Sequence, residues 1–401
     1  MPKKSEIILG IETSCDETAL ALIDGEKILA NITLTQTVHK KYGGVFPMLA
    51  KREHAKNLLP IFKNILETAN FLNLKQKARS EKLEDVKKIL EREPDLLEQF
   101  LAFVPTIEKP PINAIAVTEG PGLEPALWVG INFAKALATI WNIPIIPINH
   151  MEGHVVSALL HLKGSKQILN SETQIIIRPP VFPAIALLIS GGHTELVLMK
   201  NWFDYEIVGV TKDDAIGEAF DKVARILGLP YPGGPEISRL AEKTRKESKG
   251  LALKSEGRLN LKLPRPMLNS GDLNFSFSGL KTAVLYLVKK LEGLNEDDKR
   301  NIAREFEDAA TEVLVTKTKK ALNQFGVKTL IIGGGVSANK NIRRTFEELS
   351  TKKNDLKLFI SNPELATDNA LMIALAGQLR LKANKTKTSE KITAQGNLKI
   401  V

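Results

Sequence analysis

The chain has 401 residues, 43% of them hydrophobic, a formal net charge of +10 and a single cysteine. That length exceeds the roughly 250–300 residues at which one core stops growing, so two packed lobes are expected. One cysteine excludes an internal disulfide or a cysteine-based metal cluster, and no apolar run approaches the ~20 residues that cross a bilayer. The first apolar run begins at Ile7, which leaves no room for a targeting segment, so a cytoplasmic protein without membrane attachment is expected. The positive charge fits an anionic partner such as a nucleic acid or, because the lysines are scattered, a solvated basic surface.

Residues 7–11 are β-rich, and 19–23, the turn Asp24-Gly25 and 27–32 read as strand, turn and strand, so the chain opens as an antiparallel meander. The helical spacing of Leu58, Leu59, Phe62, Ile65 and Leu66 predicts a core-facing helix over 52–72. Residues 74–111 alternate basic and acidic side chains around Leu83, Val86, Ile89 and Leu90, with Pro94 inside and Pro110-Pro111 at the end. They read as an inserted helical hairpin, either a solvated decoration or a partner-docking element. A strand at 114–118, the turn Gly120-Pro121-Gly122, a helix through 133–140 and a strand at 145–148 make a βαβ unit. A second meander follows, with strands at 184–189, 195–200 and 205–210 and the turn Ser190-Gly191-Gly192-His193. Helices are predicted over 212–227, with a Thr211–Asp214 capping box, over 276–291 and over 299–325. A strand at 329–332 runs into Gly333-Gly334-Gly335, a last helix starts near Asp368, and the polar tail shows no periodicity and is expected to be disordered. Two successive sheet-and-helix sets, each opening with a meander, indicate a duplicated α/β fold with a cleft between its halves.

The sharpest local signal is His150-Met151-Glu152-Gly153-His154. Histidines at i and i+4 share one helix face, which is metal-ligand spacing, although a pair of core or surface histidines has the same pattern. In the zinc-protease arrangement the acid directly follows the first histidine; Glu152 lies roughly 200° around the helix from His150, so that base is missing. Asp368, in Ala366-Thr367-Asp368-Asn369, is the best third ligand, unless Asp368 or Thr367 merely caps the helix. Two histidines and a carboxylate leave coordination positions open and suit Fe(II) or Zn(II). Four glycine turns, at 120–122, 190–192, 231–235 and 333–335, offer backbone N–H groups to phosphate. Asp214, Glu218 and Asp221 form an acidic stripe, either solvated or, at Asp221, an acceptor for a ribose or substrate hydroxyl. The first turn, 12–18, is densely polar and offers carboxylates as general bases, whereas Cys15 has no adjoining histidine and reads as a small buried thiol.

Nine segments in order, GIETSCDET (10–18), YGGVFPMLAKREH (42–54), GPGL (120–123), HMEGH (150–154), LISGGHTEL (188–196), DDAIGEAFDKVARILGLPYPGGP (213–235), FSFSGLKTA (275–283), GGGVSAN (333–339) and ATDNALMIA (366–374), closely resemble the TsaD, Kae and Qri family of tRNA threonylcarbamoyladenosine synthases, formerly called glycoproteases. The resemblance implies an actin-like, Hsp70-like (RNase H-like) ATPase fold with two lobes around a nucleotide cleft. One lobe would comprise 1–150, with the insertion 74–111 and the helix 368–382; the other would comprise 151–367, leaving 383–401 as the tail. It implies transfer of a threonylcarbamoyl group from threonylcarbamoyl-AMP to the exocyclic nitrogen of the adenosine beside the anticodon, in tRNAs reading codons that begin with A. Carried across by motif, His150, His154 and Asp368 bind one divalent metal, Fe(II) ahead of Zn(II). Leu188, Ile189, Ser190, Gly191, Gly192, Asp221, Gly234, Ser238 and Asn339 line the site for threonylcarbamoyl-AMP or ATP/AMP, and Asp16 or Glu17 takes the proton from the attacking nitrogen. The implied partners are tRNA, a TsaB-like paralogue, a TsaE-like ATPase and a threonylcarbamoyl-AMP synthase. Pro125 departs from the glycine that the family often carries. The rival readings are a sugar kinase or Hsp70-like ATPase, a metallopeptidase, or a non-enzymatic scaffold.

Overall fold

The first strand, β1 (Ile7–Glu12), is buried along its whole length, which an IILGIE run requires once both faces of a sheet are covered. The computed structural model describes residues 6–75, 82–163, 173–250, 261–291, 293–384 and 391–400. β1 pairs antiparallel with β2 (Glu17–Asp24), and β2 with β3 (Lys27–Thr35), as the opening meander predicts. The chain then forms α1 (Pro47–Thr68), α2 (Lys82–Ile89), α3 (Pro94–Phe103), β4 (Ala114–Gly120), α4 (Glu124–Trp141), β5 (Ile145–Asn149) and α5 (His150–Ala158). Strands β6 (Leu160–Lys163) and β7 (Gln174–Ile177) extend the same sheet, whose order is β5-β4-β1-β2-β3-β7-β6.

The insertion corrects the expectation of a solvated decoration. Val86, Leu90, Leu96 and Phe100 are fully buried, and Phe100 stacks edge-on against Phe133 of α4, which also meets Phe62 of α1. The alternating charges mislead because the buried positions are few; α2 and α3 seat those few in the core shared by α1 and α4. The part of the insertion at 76–81 lies outside the described residues.

The second set of elements comprises β8 (Ala184–Ile189), β9 (Thr194–Asn201), β10 (Asp204–Val210), α6 (Ile216–Ile226), α7 (Gly233–Gly250), α8 (Ser278–Lys290), α9 (Glu296–Gln324), β11 (Thr329–Gly333), α10 (Lys340–Lys352) and β12 (Lys357–Ile360). Its sheet runs β10-β9-β8-β11-β12. The β10-β9 and β9-β8 pairs are antiparallel, and the β8-β11 and β11-β12 pairs are parallel. The inner strands β3-β2-β1-β4-β5 repeat that order and those directions, so the duplication expected from the two meanders is present in the topology.

Helix α6 starts later than expected, and the Thr211–Asp214 box does not form. Asp213 instead receives the backbone N–H groups of Phe277 (2.8 Å) and Ser278 (3.1 Å) at the head of α8. Thr211 Oγ1 donates to the Asp214 carbonyl (2.7 Å), and Ala215 occupies the cap position of α6 without a side-chain bond.

A final helix, α11 (Ala370–Lys382), returns to the first sheet. Two compact units result: Met1–His39, Val45–Arg178 and Asp368–Ile400 form unit 1, while Lys40–Gly44 and Pro179–Thr367 form unit 2. The division falls after Arg178 rather than after residue 150, because α5, β6 and β7 pack with the first sheet. Period-two alternation places Ile7, Leu9 and Ile11 in the core with α1 and α4, while Gly10 faces α11. The tail expectation also needs correction. Residues 385–390 lie outside the described residues, but 391–400 are packed, with Ile392 and Ile400 buried and Lys135 Nζ donating to the Ile392 carbonyl (2.7 Å). Backbone groups make most of these contacts, so the side chains carry no periodic signal.

Candidate metal centre and glycine turns

Asn149 ends β5 and caps α5, its Oδ1 accepting from the N–H of Met151 (2.9 Å) and of Glu152 (3.4 Å). The helix therefore starts at His150 and brings His154 round by one turn, with ring centroids 4.6 Å apart. Two glycines let α11 come close enough to add the third group. A Cβ at position 10 would lie 2.3 Å from the Ala370 carbonyl oxygen, and one at Gly153 would lie 3.1 Å from both Met372 and Ile373. Asn369, and neither Thr367 nor Asp368, caps α11 by accepting from Met372 N (3.0 Å). The Asp368 carboxylate thereby points Oδ1 at His150 Nε2 (3.3 Å) and His154 Nε2 (3.2 Å).

Behind these groups lies a fully buried carboxylate whose support of His150 sequence reasoning missed. Glu12 Oε2 sits 3.0 Å from His150 Nδ1 and accepts from Thr118 Oγ1 (2.6 Å), while Oε1 accepts from Ser14 N (2.5 Å). An acid in the first turn was visible in the sequence, but its partner 138 positions away was not. Burial opposes ionisation of His150, yet Asp368 and Glu12 hold its pKa well above the usual imidazole range. Burial likewise works against the charge on Asp368, and the two histidines outweigh it and lower the carboxyl pKa. Burial lowers the pKa of His154, whose enclosed ring nitrogens meet, among the described residues, no partner beyond the Asp368 oxygen 3.2 Å from Nε2.

The donor set fits a metal ion. One ligand atom from each of His150, His154 and Asp368 falls within 4.8 Å of the others. Glu12 engages Nδ1 of His150 and leaves Nε2 for a cation, the usual carboxylate–histidine support of a metal ligand. Two imidazole nitrogens and one carboxylate oxygen suit Fe(II) or Zn(II) and leave positions for other ligands.

Of the carboxylates in the first turn, Glu17 opens β2. Burial, then Asp368 and Asp16, push its pKa up to about 10, so in the absence of a cation it holds its proton. Asp16 receives Gln36 N at its backbone carbonyl (2.9 Å). The Cys15 thiol is pushed well above its ordinary range by burial and by Asp16, which keeps it from serving as a thiolate nucleophile. His54 of α1 ties this turn down, with Nε2 2.9 Å from the Cys15 carbonyl and Nδ1 2.8 Å from Thr18 Oγ1. Since a carbonyl only accepts, Nε2 carries the proton and Thr18 donates to Nδ1.

The predicted adenylate residues lie in unit 2. Leu188 and Ile189 are buried in β8, and its parallel neighbour β11 ends alongside, with Leu188 opposite Gly333. The turn at Ser190 is closed by Ser190 N donating to the His193 carbonyl (2.9 Å) and by His193 N donating to Ser190 Oγ (3.1 Å). Among the described residues a Cβ at position 191 or 192 would meet nothing within 4 Å. Asp221 accepts the Gly233 N–H (2.7 Å), and that bond helps start α7 at Gly233-Gly234, where the sequence suggested a turn. Ser238 lies half-buried on α7. Asn339 caps α10 through Oδ1 and gives its Nδ2–H to Glu307 Oε1 (2.6 Å), and the fully buried Glu307 is paired in turn with Arg245. Its side chain therefore fixes the turn that follows β11. The turn Gly120-Pro121-Gly122 differs from the others, because its Gly122 N–H is spent on the Gly396 carbonyl (3.1 Å). Pro125 stands in the first turn of α4, where proline is well accommodated.

The repeated strand order defines an actin-like α/β protein, here with a His-His-Asp centre in unit 1. A crystal structure of full-length HypF in its phosphate- and nucleotide-bound form shares the fold, with a TM-score of 0.52 and 12% identity over 96% of this chain and 48% of that one. The family model for TsaD, tRNA N6-adenosine threonylcarbamoyltransferase, matches residues 27–76 and 87–375. A tRNA N6-adenosine threonylcarbamoyltransferase of Paraburkholderia xenovorans is 43% identical over 94% of this chain and 92% of its own length. One of Thermosipho africanus is 42% identical over 98% of this chain and all of its own. The chain belongs to the TsaD family of tRNA N6-adenosine threonylcarbamoyltransferases, and it is a transferase.

Proposed function

We propose that this transferase moves a threonylcarbamoyl group from threonylcarbamoyl-AMP to the exocyclic nitrogen of the adenosine beside the anticodon, at position 37, in tRNAs reading codons that begin with A, and that it requires a divalent metal. Family membership supports the tRNA-modifying chemistry. The observation that carries the metal requirement is the convergence of His150, His154 and Asp368 around the buried His154 Nε2, which has no other hydrogen-bond partner among the described residues.

In the reaction a C–N bond forms to the adenosine amine, the C–O bond to the phosphate of AMP breaks, and the amine loses a proton. His150, His154 and Asp368 would hold Fe(II) or Zn(II), which supplies Lewis-acid polarisation when bound. Glu12 keeps His150 in the tautomer that presents Nε2. Asp16 or Glu17 would take the amine proton; for Glu17 that role needs the charge of Asp368 offset by a cation. In unit 2 the turn at Gly191 and Gly192, with Leu188, Ile189, Ser190, Asp221, Gly234, Ser238 and Asn339, would hold the adenylate as leaving group, or ATP/AMP.

A TsaB-like paralogue and a TsaE-like ATPase are the partners that the family resemblance suggests, and a threonylcarbamoyl-AMP synthase would supply the donor. No helix among the described residues is long and apolar enough to cross a membrane, and a cytoplasmic location suits the lone cysteine.

The test supplies metal-loaded protein, threonylcarbamoyl-AMP, unmodified tRNA and the bacterial partner subunits, then reads threonylcarbamoyladenosine in digested tRNA by mass spectrometry. Product from the wild type that is lost in His154→Ala and after chelation is the expected result. Product that survives both changes removes the metal requirement, and no product with any partner set removes the donor assignment.

A further inference from the structure

Residues 391–400 touch the metal-bearing part of unit 1 at two separate places. At the first, the Lys399 carbonyl accepts from Asn149 Nδ2 (3.1 Å). The other end of that amide, Oδ1, caps α5 at the residues just after His150. The segment therefore fixes which way the Asn149 amide faces, and with it the first turn of the helix that presents both histidines.

At the second place, Gln395 N donates to the Glu119 carbonyl (2.9 Å) and Gly122 N donates to the Gly396 carbonyl (3.1 Å). The fit is tight enough that a Cβ at Gly120 would lie 2.0 Å from the Gln395 carbonyl oxygen. The 120–123 turn bears on Ser14 in turn. A Cβ at Gly122 would lie 2.6 Å from the Ser14 carbonyl oxygen, and Leu123 N donates to that oxygen (2.7 Å). Ser14 Oγ lies 3.3 Å from His150 Nδ1, and Ser14 N donates to the same Glu12 that holds this ring. Both routes end on His150, one through its helix and the other through its ring. Ile392, fully buried in the core with α1 and α4, anchors the segment upstream of both.

We propose that residues 391–400 are a positioning strap for the metal centre, which sets His150 for ligation through Asn149 and through the Gly122–Ser14 contact. The strap's role rests on the reading of His150, His154 and Asp368 as metal ligands. It takes no part in the chemistry and touches neither metal nor substrate; its effect is on how well the ligands are preorganised.

Two changes separate the strap from its targets without removing a ligand. Asn149→Ser keeps a good helix cap but loses the amide donor to Lys399. Gln395→Pro removes the N–H that donates to the Glu119 carbonyl and leaves the buried Ile392 and Ile400 in place. Each protein, prepared metal-free, is titrated with Zn(II) against a chromophoric chelator, and thermal unfolding of the metal-free forms is followed in parallel. The expected result is a Zn(II) Kd raised about tenfold in both variants, as for other outer contacts of metal ligands, with metal-free melting close to wild type. Wild-type Zn(II) affinity in both variants overturns the strap, as does a loss of affinity that merely follows a fall in melting temperature. Failure of the wild type to bind Zn(II) or Fe(II) at all overturns the metal centre itself, and the strap with it.

Discussion

Glu152 of α5 and Arg380 of α11 form a bidentate ion pair, with Nε 2.8 Å from Oε1 and Nη2 on Oε2, that joins the helix bearing the two histidines to the helix that follows Asp368. Glu152 is fully buried, and its position off the histidine face is what turns it toward α11 instead of the metal centre. Arg380→Met should cost about 3 kcal/mol, because a desolvated carboxylate loses its bidentate partner. The double variant Glu152→Gln, Arg380→Met should recover part of that loss. Urea unfolding of the two singles and the double checks it, and purely additive losses would show that the pair does not couple the helices.

Glu12 should matter for metal affinity more than for substrate. In Glu12→Gln the side chain keeps its shape but loses the charge facing His150 Nδ1, and the Zn(II) Kd should rise about ten- to a hundredfold. Equilibrium dialysis with metal analysis measures this; an unchanged Kd would mean that His150 needs no help in presenting Nε2.

The Arg245–Glu307–Asn339 chain makes a prediction for unit 2. Arg245→Met leaves the buried Glu307 carboxylate without its cation and should destabilise the protein by about 3 kcal/mol. Glu307→Gln retains an acceptor for Asn339 Nδ2 and should weaken AMP binding less than Glu307→Leu, which removes that acceptor. Calorimetric AMP titrations rank the two, and equal affinities would free the turn after β11 from this control.

Stability should fall on mild acidification through His54. Burial lowers its pKa from 6.5 to about 4, so between those values the unfolded chain binds a proton that the folded chain refuses. The contribution is complete above pH 6.5 and is lost as the pH drops toward 4, by about 3 kcal/mol in all. Urea midpoints at pH 7 and pH 4.5 should therefore fall further for wild type than for His54→Gln, and parallel falls would assign the acid sensitivity to other groups.

What could be read from the sequence depended on whether a side chain or the backbone carried the information. The i, i+4 histidines, the paired meanders and the glycine runs are local patterns, and each has a counterpart in the structure. The pairing of Glu12 with His150, and of Arg380 with Glu152, escaped notice because the partners lie far apart along the chain and neither spacing nor residue type links them. The 391–400 segment was misread for another reason: it is held through carbonyl and N–H groups that every residue possesses, so a polar composition gave no hint of packing. Val86, Leu90, Leu96 and Phe100 show a third limit, since four buried side chains among many charges suffice to seat two helices.

After Arg178 the chain leaves unit 1 for unit 2 and returns to unit 1 at Asp368. On a ribosome, then, the strands and helices up to Arg178 emerge with Gly10 and Gly153 uncovered and with two histidines facing an incomplete site. The whole of unit 2 is made before α11 can dock on β1 and deliver the third ligand. If these residues bind a metal as proposed, its capture would await the final stage of synthesis, and a nascent chain stalled inside unit 2 would lack the complete His-His-Asp centre.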